Sequence, residues 1–170
     1  MTQVEFSLAP DLRFDAIDQV AMLVPDLAAG VRAWSAVLGL DQWYVCTYGP
    51  ESVPECLTYH DEPGSYRMRL ALAGSSPQLE LIQPLDGPSI YHDWIAEHGY
   101  GLHHFGFRVA SIAEAERRAR AAGIPVIQTG RSYGADGTGG FAYLATQQSL
   151  GVITELIEVP AVRRPSEDLR

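Results

Sequence analysis

The chain repeats one pattern of apolar and chemistry-bearing residues in its two halves. Residues 17–24 form an apolar run of strand length that stops at Pro25, and residues 102–109 form a second such run. Each run is followed by apolar residues at helical spacing, and superposing the two segments sets Gln19 over His104. A repeated unit folds as one supersecondary element. The duplication therefore restricts the chain to two similar modules that share a core.

The two halves also close alike. Glu-Leu-Ile occurs at residues 80–82 near the end of the first half and at residues 155–157 near the end of the second. Between helix and closing strand, each half has room for two further strands. We predict these strands at about residues 40–48, 66–73, 125–129 and 140–145. The repeating unit is therefore strand–helix–strand–strand–strand.

This pattern predicts an α+β fold in which two tandem βαβββ modules form a curved, barrel-like mixed sheet around a shared cup. One domain is expected over residues 14–160. Its parts in chain order are module one at about 14–85, a linker helix at about 88–99 and module two at about 101–160. Residues 1–13 are interpreted as an N-terminal extension, and the charge-rich residues 161–170 as a flexible, solvated tail.

Composition limits the partners of such a domain. The chain has 12 Lys and Arg against 21 Asp and Glu, a formal net charge of −9 at pH 7. Nucleic-acid binding rests on clustered positive charge that neutralises phosphates, so we expect no nucleic-acid partner. No apolar run is long enough to span a bilayer, and residues 1–14 do not resemble a secretory signal. We therefore expect no membrane partner and a cytoplasmic location.

Strand alternation places four polar side chains on one face of the predicted sheet, because their apolar neighbours would cover the helices. The four are Gln19, Glu80, His104 and Glu155. Taken singly, a strand Glu is usually solvated and a strand His is usually a hydrogen-bonded core residue; their matching positions in two copies favour a shared site. An amide oxygen, an imidazole and two carboxylates suit one divalent metal ion, Zn²⁺ first, with Co²⁺, Ni²⁺ or Mn²⁺ as alternatives. The same alternation turns His103 toward its module's helix, which predicts a structural role.

These segments resemble the vicinal-oxygen-chelate superfamily, which includes glyoxalases, bleomycin resistance proteins and dioxygenases, over roughly residues 14–160. The layout is nearest to methylmalonyl-CoA epimerase-like members. The resemblance rests on Gly-Leu-His-His at residues 101–104 and on the paired Glu-Leu-Ile strands. It implies a paired βαβββ fold and a metal at the shared concave face. Carried over position by position, it implies the same four ligands: Gln19, Glu80, His104 and Glu155.

Departures from the family patterns narrow the expected function. Epimerases of this type carry His where this chain has Gln19, although Gln is found there in human-type glyoxalase I. They also carry a second acid on the third strand of the first half, where this chain has Arg67 or Arg69. Glutathione-dependent glyoxalases carry Arg and Asn where this chain has Leu23 and Pro84. Ring-cleaving iron dioxygenases use two His and one carboxylate, which the Gln/Glu/His/Glu set does not provide.

We therefore predict a metal-dependent isomerase or epimerase that removes a proton next to a metal-bound carbonyl of an acyl-CoA, a keto sugar or a natural-product intermediate. Glu155 is the expected base and Glu80 its counterpart across the site. Arg67 or Arg69 would hold a substrate carboxylate or phosphate, the alternative being an outward, solvated pair. The other candidate functions are a glyoxalase-like lyase and a non-catalytic, antibiotic-type binding protein of the same fold. Open sheet edges predict a homodimer.

Overall fold

One mixed sheet of ten strands organises the part of the chain that the computed structural model describes, residues 12–52, 57–75 and 77–169. The strands are β1 (Gln19–Leu23), β2 (Tyr44–Tyr48), β3 (Leu57–Tyr59), β4 (Glu62–Pro63), β5 (Arg67–Ala73), β6 (Gln78–Asp86), β7 (Gly101–Arg108), β8 (Val126–Arg131), β9 (Gly140–Leu144) and β10 (Ile153–Glu158). The helices are α1 (Leu27–Leu38), α2 (Ile90–His98), α3 (Ile112–Ala121) and α4 (Gln147–Leu150).

The first strands of the two modules meet at the middle of the sheet. The strand order is β2-β5-β6-β1-β7-β10-β9-β8-β3-β4. β1 and β7 pair antiparallel, and each pairs in parallel with the closing strand of its own module, β6 or β10. The sheet curls into a half-barrel, which confirms the predicted α+β architecture of two βαβββ modules.

One element departs from the simple repeat. β3 follows β2 in module one, yet it pairs antiparallel with β8 of module two. The β3–β4 hairpin therefore extends the far edge of the second module. Neither this hairpin nor the short α4 was predicted, since short polar strands carry little periodic signal. The four strands that were predicted within the modules lie within a few residues of β2, β5, β8 and β9.

The helices begin and end where local chemistry allows. Asp26 caps α1, its Oδ1 accepting a hydrogen bond from Ala29 N at 2.6 Å, and Gly39 ends the helix with a left-handed φ of 68°. Ser111 caps α3 by accepting from Glu114 N. Each helix follows one of the two apolar runs, where the spacing of apolar residues predicted it.

Each helix covers the outer face of its own module. Leu81 and Leu156, the central residues of the two Glu-Leu-Ile strands, are fully buried in the two outer clusters under α1 and α3. A third cluster fills the inner face and is rich in tyrosine. Because strand side chains alternate, the Glu residues that precede these leucines point to the inner face. The outer packing therefore determines the direction of the polar side chains.

The C-terminal segment is hydrogen-bonded to the sheet, so residues 161–169 are not the free tail that the sequence indicated, although most of them are exposed. Glu167 accepts hydrogen bonds from Thr47 N at 2.7 Å and Thr47 Oγ1 at 2.8 Å. Glu167 N donates to Val45 O, and Ser166 Oγ accepts from Val45 N. Charged residues in a tail usually indicate solvation, but here they satisfy the open edge of β2. We call residues 160–169 the strap, since they connect module two to module one.

At the N-terminus, Phe14 stacks on Phe107 with ring centroids 4.5 Å apart and packs with Leu12 against the outer cluster of module two. The rest of the predicted extension, residues 1–11, lies outside the described residues. In the described ranges, no helix combines the length and apolar character needed to cross a membrane.

The turn that leads into α2 gives a stability prediction. Gly87 has φ +77°, and a Cβ there would lie 2.6 Å from Tyr66 Cα and 2.7 Å from Ser65 O. Gly39 has φ +68° but open space around it. We expect Gly39→Ala to lower the free energy of unfolding by about 1–2 kcal/mol through backbone strain alone. Gly87→Ala adds a clash with rigid backbone and should cost roughly 1–3 kcal/mol more. Urea unfolding measures both losses, and equal losses would contradict this account.

Candidate metal centre

Four polar side chains meet at the middle of the inner face, on the adjacent strands β6, β1, β7 and β10. They are Glu80, Gln19, His104 and Glu155. His104 is fully buried, and the other three are only 5–6% exposed. The structure thus brings together all four residues that alternation and duplication singled out. The site lies at the seam between the modules, so neither module contains it alone.

The donor atoms of these side chains converge on one point. His104 Nε2 lies 3.2 Å from Glu80 Oε2 and 3.0 Å from Glu155 Oε2. One ligand atom from each of these three residues lies within 4.8 Å of the others. Gln19 Oε1 lies 3.0 Å from Glu155 Oε2 and 3.3 Å from Glu80 Oε2. One nitrogen and three oxygens therefore surround a common centre.

Two further observations indicate that these four side chains could hold a divalent metal ion. His104 Nε2 is buried and has no well-directed hydrogen bond to any described residue, an arrangement that is costly unless another partner is supplied. Gln19 Oε1 faces carboxylate oxygens, which is favourable only with a cation between them; with its amide reversed, Gln19 would donate to both carboxylates instead. An imidazole, two carboxylates and an amide oxygen form a shell that suits Zn²⁺ and similar ions.

Gln78 holds the amide of Gln19, a contact that the sequence reasoning missed. Gln19 Nε2 donates to Gln78 Oε1 at 3.3 Å, and the two residues are register partners in the β1–β6 pairing. In this orientation of the amide, which suits a bound cation, the oxygen of Gln19 is directed at the centre. Gln78 stands two residues before Glu80, so alternation alone could have placed it on the same face.

We expected His103 to face α3, the helix of its module, but it does not. Ala21 is the partner of His104 and Met22 that of Leu102, so His103 is the extra residue of a β-bulge. Its ring contacts Tyr91 and Trp94 of α2. Simple alternation fails at a bulge, because the extra residue shifts the face to which the next side chain points.

The bulge gives His103 a contact with the site. Its Nδ1 lies 2.9 Å from His104 Nδ1. Burial and the neighbouring His104 hold the pKa of His103 well below its usual range, so it is neutral. With His104 Nε2 directed at the centre, His104 Nδ1–H donates to the lone pair of His103. A partner of this kind fixes the ring orientation and tautomer of a ligating histidine.

Gln19, Glu80 and Glu155 form the floor of a pocket of about 600 Å³, including the part open to solvent, while His104 is fully buried and does not line it. Its walls are mostly apolar and aromatic: Tyr48, Met68, Leu70, Leu72, Tyr133, Phe141 and Tyr143. Two exposed arginines, Arg108 and Arg163, also line it. A polar floor under apolar walls is typical of small-molecule sites.

Arg67 and Arg69 do not line this pocket, so the prediction that one of them points into the cup is wrong. The side chains of β5 that face the pocket are Met68, Leu70 and Leu72. Arg67 binds Glu51 at 2.9 Å and Asp86 at 3.1 Å on the opposite side. Arg69 donates to the carbonyl of Asp168 in the strap. The outward alternative is the correct one, although both arginines are engaged by partners.

The electrostatics of the site follow from its burial. Burial lowers the pKa of His104, but the adjacent Glu155 and Glu80 outweigh this effect and raise the pKa to about 9. Burial raises the pKa of Glu80, and the close contact with His104 opposes that rise. Without a metal, the centre therefore holds an imidazolium at neutral pH, and a metal must displace its proton.

Comparison with known proteins agrees with this geometry. The family model of the glyoxalase/bleomycin resistance protein/dioxygenase superfamily matches residues 18–143. A solved structure of a Streptomyces coelicolor methylmalonyl-CoA epimerase variant in complex with 2-nitronate-propionyl-CoA is 25% identical, with a TM-score of 0.64, and the match covers 90% of this chain and 100% of that chain. The methylmalonyl-CoA epimerase from Mycobacterium tuberculosis is 23% identical, with a TM-score of 0.59 and coverage of 90% and 95%.

Among curated proteins, the uncharacterized protein YqjC of Bacillus subtilis is 31% identical over 83 residues. That match covers 49% of this chain and 59% of the relative, so the chain spans little more than half of that protein's length. The structural neighbours are the epimerases that the sequence resemblance indicated. The family match covers well over half of the chain, and the chain therefore belongs to the glyoxalase/bleomycin resistance protein/dioxygenase superfamily.

Proposed function

We propose that the protein is a metal-dependent isomerase or epimerase that removes a proton from the carbon next to a substrate carbonyl. The observation that carries the proposal is the convergence of Glu80 and Glu155, which line an open pocket, on the fully buried His104. A divalent ion held there, Zn²⁺ first and Co²⁺, Ni²⁺ or Mn²⁺ as alternatives, supplies Lewis-acid polarisation of the carbonyl. The epimerase neighbours, one of them in complex with an acyl-CoA compound, support an acyl-CoA ester as one substrate class beside keto sugars and natural-product intermediates.

In this proposal Glu155 takes the proton and returns it. Gln19 and His104 act only as ligands, with Gln78 and His103 orienting them. The apolar walls exclude water, which strengthens each electrostatic interaction at the floor. Glu80 faces Glu155 across the centre, with His104 Nε2 close to both.

The number of available acids decides between epimerisation and one-face isomerisation. The inner face of β5 is apolar, so it offers no second acid of the kind that epimerases carry there. Asp18 also lines the pocket, but its Oδ2 accepts from Arg108 N at 2.8 Å. Epimerisation therefore requires Glu80 to serve the face opposite Glu155, whereas isomerisation requires Glu155 alone.

A second candidate function is non-catalytic binding of a small apolar molecule. The aromatic and aliphatic walls, with Tyr48, Phe141 and Tyr143 among them, favour it. In that case Glu155 would be dispensable for binding. The buried pair of carboxylates argues against this candidate, because without a metal the single imidazolium of His104 can compensate only one of the two charges.

Metal content tests the site directly. We expect about one divalent ion per chain in the purified protein, measured by plasma mass spectrometry. Glu155→Ala removes a ligand and should weaken retention by more than about 100-fold, while Glu97→Ala, on the exposed side of α2, should retain the ion. Absence of metal from all three proteins, even after Zn²⁺, Co²⁺, Ni²⁺ or Mn²⁺ is added, would remove the enzymatic proposal and favour the binding one.

Metal affinity should rise with pH up to about 9. Below its raised pKa, His104 carries a proton that the metal must displace, so affinity increases by about tenfold per pH unit and levels off above about pH 9. Calorimetry at pH 7.5 in buffers of different ionisation enthalpy should show about one proton released per ion. An affinity that does not change between pH 7 and 9 would contradict the combination of a raised pKa at His104 and its role as a ligand.

Exchange with solvent deuterium tests the assignment of the base. A panel of acyl-CoA esters and ketoses is screened for deuterium incorporation, with each variant saturated with metal. Glu155→Gln should lower exchange by roughly 100- to 10,000-fold, and Glu97→Gln should leave it unchanged. With Glu80→Gln, retained exchange without racemisation indicates that the two carboxylates serve opposite faces. Loss of exchange in Glu80→Gln with full exchange in Glu155→Gln would reverse the roles.

A further inference from the structure

Arg163 of the strap lines the same pocket as the two buried carboxylates. It lies on the wall with Glu80 and Glu155 at the floor, and its side chain is exposed. Its guanidinium carbon lies 5.1 Å from the centroid of the Tyr44 ring. Within residues 12–52, 57–75 and 77–169, no carboxylate pairs with it and no hydrogen bond engages it. The guanidinium is therefore a positioned cation whose donors are available to a ligand.

The residues on both sides of Arg163 are held in place, Arg164 by its side chain and Val162 by its backbone. Arg164 donates to Tyr133 O at 3.0 Å and to Ser52 O at 2.9 Å. On the other side, Ala135 N donates to Val162 O at 2.8 Å. Arg163 thus extends from an anchored segment, which lowers the entropy lost when its side chain binds a ligand.

A second cation lines the pocket from a different element. Arg108 ends β7, and its backbone N–H is fixed by Asp18 at 2.8 Å. The pocket therefore combines two exposed guanidinium groups with an acidic floor, separated by apolar walls. A guanidinium binds planar or tetrahedral oxyanions through paired hydrogen bonds, and it does so more strongly where apolar walls limit solvation.

We propose that Arg163 binds an oxyanionic group of the substrate, a carboxylate or a phosphate, so that the protein acts on anionic carbonyl compounds. This inference rests on the proposed function, since it assumes that the carbonyl end of the substrate reaches the floor. Arg163 of the strap would thus bind the substrate oxyanion that the sequence analysis had assigned to Arg67 or Arg69. The strap then selects the substrate while the sheet performs the chemistry.

The test measures binding rather than turnover, using full-length protein loaded with Zn²⁺. Acetohydroxamate carries only a chelating head, whereas the monohydroxamates of succinic and adipic acid add a carboxylate at two distances. Calorimetry should show that the wild type prefers one of the carboxylate-bearing probes by roughly 10- to 100-fold. Arg163→Gln should abolish that preference and leave acetohydroxamate binding unchanged. Arg32→Gln makes the same charge change on the exposed side of α1 and should keep the preference.

The outcomes separate this inference from the proposed function. Equal affinity of the wild type for all three probes overturns the role of Arg163 while leaving the metal chemistry in place, as does a preference that survives in Arg163→Gln. If no hydroxamate binds the metal-loaded protein, the proposed function fails and the inference fails with it. If the carboxylate preference depends on Arg163, a fourth probe with a phosphonate in place of the carboxylate shows which oxyanion the arginine selects.

Discussion

The antiparallel pairing of β1 with β7 determines where the four polar side chains of the site lie relative to one another. Each of these strands also pairs in parallel with the closing strand of its own module, so the seam is a ribbon of four adjacent strands. One polar side chain per strand then falls within a few ångströms of the others. A shift of one residue of β1 against β7 would turn Gln19 away from the centre. The packing of α1 and α3 on the outer face opposes such a shift.

Burial makes this arrangement costly unless it is compensated. Two carboxylates with little exposure share their surroundings with a single imidazole. In the metal-free protein, the proton on His104 provides part of the compensation, which is why its pKa lies near 9. The apolar walls strengthen the electrostatic interactions of the charged groups at the floor, both with a bound ion and with a proton in transfer. The same burial that destabilises the empty centre therefore supports strong ligand binding at it.

The two-module fold and the four residues of the centre could be predicted from the sequence, because the signals for them are local and occur twice. Glu80 and Glu155 each precede a leucine that must be buried under a helix, so alternation fixed their direction. The same logic did not orient β5, since every side chain beyond Arg69 is buried and apolar on both faces of the strand. It also failed at His103, where one extra residue changes the face.

The strap was missed for a different reason. Its contacts with module one lie more than a hundred residues away along the chain, with Glu167 binding the open edge of β2. No periodicity within residues 160–169 reveals a contact of that kind. The β3–β4 hairpin is a similar case, because its partner strand belongs to the other module. Long-range pairing of short polar segments depends on a surface that exists only after the sheet has formed.

The bulge also gives the centre an intrinsic optical reporter. The indole of Trp94 lies edge-on to His103, with ring centroids 5.4 Å apart, and His103 in turn contacts the ring of His104. Trp34 and Trp43 pack in the outer cluster of module one, on the far side of the sheet. A change in the charge of His104 alters the electric field at one indole and leaves the other two as a constant background. Intrinsic fluorescence can therefore follow occupancy of the buried centre in the unlabelled protein.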